Sequence, residues 1–139
     1  YDKAEAVYRK AIATDQRDAL AMNNLAFLLA LRGGDGAKAL ALVQRACAIA
    51  GPRPGFLDTR AVIRLKMGDS KQALEDLNEV IAAAPSAVVY FHLAQAHHLA
   101  RDRDAARLAW RRAKAMGLEV AALHPLERTA YDQLARQLD

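Results

Sequence analysis

The feature that most constrains this chain is a set of small residues that recurs at nearly constant intervals. The set consists of Ala4, Ala39, Ala73 and Ala106, followed seven positions later by Ala11, Ala46, Val80 and Ala113 in turn. Successive blocks lie 35, 34 and 33 residues apart, and Ala26, Ala61 and Ala94 repeat in phase with them. Small side chains let two helix backbones approach closely. A period of this length therefore predicts a chain of stacked structural repeats.

The apolar residues around these positions follow the spacing of amphipathic helices. One stripe covers residues 21–29 and a second covers 39–49, and together they predict a helix–turn–helix unit. The same unit recurs over 56–84 and over 88–116, whereas residues 2–14 match only its second helix. With 4 Pro and 7 Gly among 139 residues and 53% hydrophobic residues, the composition favours an all-α chain and excludes β-sandwich, β-barrel and collagen folds.

Paired antiparallel helices with a period near 34 residues resemble the tetratricopeptide repeat (TPR) family. The residues that carry the resemblance are Asn24-Leu25-Ala26 in the first full unit, Tyr90 and Leu93-Ala94 in the third, and the repeat-ending Pro85. The resemblance covers residues 1–118 and implies a right-handed α-solenoid of stacked antiparallel helix pairs. It divides the chain into a half repeat at 1–17 and repeats at about 18–52, 53–85 and 86–118.

Residues 119–139 break the period and are expected to form a C-terminal capping helix of the same domain. His124-Pro125 opens this helix, because Pro is favoured at the first helical position. Its apolar stripe consists of Leu126, Ala130, Leu134 and Leu138. A solenoid needs such an atypical end unit to cover its last apolar face.

The residues give no support to an enzyme, a metal site or a cofactor. The 4 His do not have metal-ligand spacing, and the single Cys47 excludes an internal disulfide and a Cys-based zinc site. The net charge is +4, and the basic segment 101–114 lacks the interleaved aromatic residues of nucleic-acid binders, so no nucleic-acid partner is expected. No apolar run approaches the length of a membrane span, so no membrane partner is expected.

The TPR resemblance also implies a concave groove, lined by the first helix of each unit, that accepts a peptide or partner segment. The positions that match the groove are Asn23, Phe27 and Leu31, then Asp58, Val62 and Lys66, then Phe91, Gln95 and His98. Phe27 and Phe91 are expected to be exposed apolar anchors, and Asn23 is expected to bond a ligand backbone. The alternative is that Phe27 and Phe91 pack on each other's helices or beneath a preceding repeat unit.

Arg60 and Arg64 stand where the family carries apolar or aromatic side chains. Four residues apart, they share one helix face, and burying them unpaired would be costly. We expect Arg60 to pair with an acidic side chain or with a backbone carbonyl, and Glu75, Asp76 and Glu79 on the next helix are the available acidic residues. A structural ion pair is favoured over an anchor for an acidic ligand.

The function that these features predict is protein–protein interaction through the groove. The alternative is a structural spacer or end module that packs within a larger protein or self-associates as a homodimer through its open N-terminal face. The chain starts at Tyr1 without a leader, which indicates a piece of a longer protein, and its Ala- and Arg-rich usage suggests a bacterial source. The residues assign no compartment, with a cytoplasmic location favoured over the others.

Overall fold

The structure is a computed structural model that describes all 139 residues, and every regular element in it is helical. The helices are α1 (Asp2–Thr14), α2 (Ala19–Leu31), α3 (Gly36–Ala50), α4 (Pro54–Lys66), α5 (Ser70–Ala83), α6 (Ala87–Leu99), α7 (Arg103–Ala115) and α8 (Arg128–Leu138). Two short 3₁₀ turns, Val120–Ala122 and Pro125–Glu127, precede α8. The predicted all-α class is therefore confirmed. No helix is long and apolar enough to cross a membrane.

Aspartate side chains begin most of these helices. An Asp carboxylate accepts a backbone N–H in the first turn of α2, α3, α5 and α7, and the Ser86 hydroxyl does so in α6. Each such bond satisfies one of the amide groups that a helix start leaves without a partner. The short turns that carry these residues bring consecutive helices side by side.

Consecutive helices pack against one another along the whole chain. α2 lies against α3, α4 against α5, and α6 against α7. α4 also contacts α2 and α3, and α6 also contacts α4 and α5, so each pair rests on the pair before it. α8 lies against α7.

The small residues of the repeat lie where these helices meet. Their exposed fractions are at most 2% for Ala26, Ala39, Ala46, Ala61, Ala73, Val80, Ala94, Ala106 and Ala113. A larger side chain at such a position would push two backbones apart, at a typical cost of about 1–3 kcal/mol. Ala4 and Ala11, the equivalent residues of α1, are half-buried. The small residues that recur in the sequence thus mark the positions at which helices contact one another in the fold.

A charged cluster links α4 to α5. The Arg60 guanidinium donates two hydrogen bonds to the Asp76 carboxylate, at 3.0 and 2.6 Å, and Arg64 donates a third at 2.5 Å. The Asp76 side chain is 3% exposed, and those of Arg60 and Arg64 are 22% and 13% exposed. The hydrogen bond from Arg60 to Asp76 raises the pKa of the guanidinium further, against the effect of burial. Arg60 therefore has the acidic partner that its position requires.

Removing the shared carboxylate tests how far this cluster stabilises the fold. We expect Asp76→Ala to lower the free energy of unfolding by about 3 kcal/mol, because two mostly buried guanidinium groups lose their counter-charge. Urea denaturation followed by circular dichroism measures the change. Glu75→Ala, at the adjacent exposed position, is the control and should change stability by less than about 0.5 kcal/mol. Equal small losses in both variants would show that the cluster contributes little.

Candidate functional site

The segment after α7 folds back over the faces of α2, α4 and α6. The His124 ring lies 5.5 Å from the Tyr1 ring and 5.9 Å, edge-on, from the Phe27 ring on α2. Further along, Glu127 reaches α6, and the Tyr131 ring lies 6.2 Å from that of Phe91. We call residues 118–139 the C-terminal cover. It contacts the three helices that carry every predicted groove position.

A buried histidine joins the cover to the helices beneath it. In His92, Nδ1 lies 2.7 Å from Asp58 Oδ1 on α4, and Nε2 lies 2.8 Å from Glu127 Oε1 in the cover. Each ring nitrogen thus faces a carboxylate oxygen, which is the arrangement in which a doubly protonated imidazole donates one hydrogen bond from each nitrogen. The His92 side chain is 1% exposed, which makes this a buried, doubly paired imidazolium.

The two carboxylates set the protonation of His92. Burial of the ring disfavours its charged form and alone would lower the pKa. The charges of Asp58 and Glu127 and their hydrogen bonds outweigh that effect and raise the pKa of His92 from 6.5 to about 10. The bridge is therefore charged throughout the physiological pH range.

Further contacts hold the cover in place. The second Glu127 oxygen accepts the His124 backbone N–H at 3.3 Å and closes the turn that starts at Pro125. At the other end, Trp110 Nε1 donates to Asp139 Oδ1 at 2.5 Å. Lys114 Nζ donates to the Tyr131 hydroxyl at 2.9 Å.

Apolar burial adds to these polar contacts. Leu118, Leu123, Leu134 and Leu138 of the cover belong to the same buried cluster as Trp110. The cover is thus an integral part of the core. The expected C-terminal helix lies within the cover. It begins at Arg128, because Pro125 opens the 3₁₀ turn Pro125–Glu127 and not the α-helix itself.

Four of the nine predicted groove residues are packed or bonded within the fold, and two of them, Phe27 and Phe91, contact the cover. The expectation of an exposed Phe91 is wrong, because its ring is 0% exposed and lies beneath Tyr131. Phe27 is half-buried against His124, and Asp58 is bonded to His92. Asn23 is 9% exposed, and its Oδ1 has no hydrogen-bond partner within the chain. None of the four is a freely exposed groove side chain.

The other five predicted residues line one pocket with a volume of about 270 Å³. They are Leu31, Val62, Lys66, Gln95 and His98. Helix α8 forms the opposite wall with Ala130, Gln133 and Leu134, among others. Three of these residues lie one helical turn beyond a residue of the first group. Leu31 follows Phe27, Val62 follows Asp58 and Gln95 follows Phe91, each by four positions. The predicted groove positions are therefore split between residues packed or bonded within the fold and residues of the next turn of each helix, which line the pocket together with α8.

The pocket does not contain the chemistry of a metal site or an activated thiol. No three His, Cys, Asp or Glu side chains in the chain are grouped so as to hold a metal ion. Burial raises the pKa of the Cys47 thiol, which keeps it in its protonated, weakly nucleophilic form. Half of the residues that line the pocket are apolar, and the other half carry amide, imidazole, ammonium or carboxylate groups.

Sequence reasoning missed His92 and Glu127, although the repeat contained a signal for both. Asp58 and His92 are 34 residues apart, and His92 and Glu127 are 35 apart. Polar residues one period apart occupy equivalent positions on neighbouring units and are thus expected to meet. The spacing of about 34 residues thus continues from Asp58 through His92 to Glu127, which lies in the cover.

No protein-family model matches this chain, and no curated protein is significantly similar to it.

The charged state of His92 predicts a pH dependence of stability. Its pKa is higher in the folded chain than the value of 6.5 for an exposed ring, so the stabilisation is complete below pH 6.5 and is lost as the pH rises to about 10. Across that window we expect the free energy of unfolding to fall by up to about 1.4 kcal/mol per pH unit. Urea denaturation at several pH values measures this slope.

Two substitutions separate the contribution of His92 to this pH dependence from that of other titrating groups. His92→Gln should flatten the profile, and His98→Gln, at an exposed position on the same helix, should leave it unchanged. A wild-type profile that is flat from pH 6.5 to 10, or one that His92→Gln does not alter, would contradict the charged bridge.

Proposed function

We propose that the chain is a TPR-type right-handed α-solenoid whose last unit is the C-terminal cover. The period of the small residues, their burial at helix contacts and the stepwise packing of helix pairs support this architecture. In it, α2, α4 and α6 are the first helices of three units and face the concave side. α1 is the second helix of a half unit.

We further propose that the protein binds a peptide or partner segment in the pocket between these first helices and α8. The observation that carries this proposal is the convergence of five groove positions from three helices on one pocket, opposite α8. The volume of about 270 Å³ is near the lower end of ligand pockets and suits apolar side chains of a peptide rather than a whole helix.

Binding in this pocket would rely on its rigidity. Each wall is a helix packed into the core, and the cover is anchored by the His92 bridge and by buried Leu side chains. A preformed pocket loses little conformational entropy when a ligand enters. Leu31 and Val62, which are 9% and 3% exposed, form the apolar floor of the pocket, Leu65 and Leu99 offer more exposed apolar surface, and Gln95 supplies donors and acceptors for the ligand backbone.

A second candidate function is a structural module that self-associates or packs within a larger protein. The observation that favours it is the apolar surface of α1, where Val7 is 63% exposed and Ala4 and Ala11 are half-buried. The equivalents of those Ala residues on α3, α5 and α7 are fully buried by a neighbouring helix.

Filling the pocket tests peptide binding. We expect a displayed library of random peptides to yield ligands for the wild-type protein, and we expect Ala130→Phe to weaken them by about tenfold or more because its ring occupies the pocket. Fluorescence polarisation with labelled peptides measures the affinities. Thr129→Phe, at the adjacent exposed position outside the pocket, is the matched control and should bind normally.

If the selection yields no ligand, or if the two Phe variants bind alike, the pocket is not the binding site. The structural module would then be the better account.

A further inference from the structure

A second, basic cavity adjoins the candidate binding pocket. It has a volume of about 530 Å³ and shares His98 and Gln137 with the first pocket. Its remaining lining consists of Arg101, Arg103, Arg136 and Leu138. We call it the basic mouth. The two cavities form one continuous site that is apolar at one end and cationic at the other.

The positive charge of the basic mouth is not neutralised locally. No acidic side chain lines it, and the one hydrogen bond formed there by an Arg side chain runs from Arg103 to the Gln137 carbonyl oxygen at 3.5 Å. Lys66 adds a further cation at the rim of the apolar pocket. The acidic residue that lines that pocket, Glu127, is already paired with His92. The site as a whole thus has an excess of cations.

The backbone at Arg101 indicates that this charge is retained at a cost. Arg101 has φ 62°, in the left-handed region that disfavours every residue except Gly and a few polar ones. The equivalent positions after α2 and α4 are Gly33 and Gly68, with φ 71° and 81° and the same turn hydrogen bonds. Only the third turn places a guanidinium there, and that turn borders the basic mouth.

We propose that the ligand of this site is an acidic peptide segment that inserts an aliphatic side chain into the apolar pocket and places its carboxylates in the basic mouth. This proposal rests on the peptide-binding function and adds the chemical class of the ligand. Arg guanidinium groups suit carboxylates because they bond them in a bidentate manner. No Phe, Tyr or Trp side chain lines either cavity, so the site lacks the row of aromatic rings on which successive nucleic-acid bases would stack.

Three synthetic peptides test the ligand class. The first places a Leu-Leu pair beside a run of Glu, the second replaces each Glu with Gln, and the third keeps the Glu run and replaces both Leu with Ser. We expect the first to bind most tightly and the other two to bind about tenfold more weakly, because each lacks one half of the match. Fluorescence polarisation measures all three, and added salt should weaken the first peptide most.

Variants of the protein test whether the Arg residues of the basic mouth bind the acidic peptide. Arg101→Gly should raise the melting temperature by about 3 °C, because it relieves the left-handed backbone, and should weaken the acidic peptide about threefold. Combined with Arg136→Gln, the loss should reach about tenfold. Arg128→Gln, an exposed position of α8 outside both cavities, is the control for a lost charge and should change affinity less than about twofold.

Failure of the ligand class is distinguishable from failure of the binding site. If the Gln peptide binds as tightly as the Glu peptide, or if the Arg variants bind normally, the acidic-ligand proposal is overturned. Peptide binding in the pocket would still stand if Ala130→Phe abolished it. If neither the three peptides nor any library member binds, both proposals fall.

Discussion

The buried imidazolium of His92 is the interaction on which the rest of the site depends. It bonds Asp58 on α4 and Glu127 in the cover, and so fixes the segment just before α8 against the helices beneath it. Glu127 in turn closes the turn at His124, which places that ring on Phe27. A charge removed from water is costly unless it is fully bonded, so this arrangement tolerates few alternatives. The position of the cover, and with it the pocket wall formed by α8, follows from this constraint.

The two charged clusters of the fold have different consequences. The cluster around Asp76 joins helices that are consecutive in sequence, and its loss weakens a contact that the short turn already enforces. The bridge at His92 joins segments 34 and 35 residues apart, where no turn enforces contact. Apolar burial around Trp110 holds the far end of α8, but it is non-directional and does not by itself choose a register. The hydrogen bonds of the His92 bridge are directional and therefore fix the register of the cover on the helices beneath it.

Much of the fold, including the C-terminal helix, could be predicted from local rules, whereas the contacts of the cover with α2 and α6 could not. The small residues at a period near 34 correctly indicated the helix contacts, and the expectation that Arg60 pairs with an acidic side chain is confirmed, with Asp76 as the partner among the three acidic residues of α5. Phe91 was misplaced because its ring belongs to the buried core and also packs against Tyr131, forty residues further along the chain, and no local helix pattern reports such contacts. Five groove residues do meet in one pocket, but its enclosure depends on α8. Only the polar residues in register, Asp58, His92 and Glu127, contained a signal for it.

The predicted groove positions are thus divided: those of one turn of α2, α4 and α6 are packed or bonded within the fold, and those of the next turn line a pocket. The most direct test of the bridge is NMR observation of the His92 ring in the intact protein at pH 8. The account predicts two imidazole N–H protons that exchange slowly with water, with nitrogen shifts of a doubly protonated ring and close contacts to the Glu127 side chain. A neutral ring with a single N–H, or fast exchange of both protons, would contradict it.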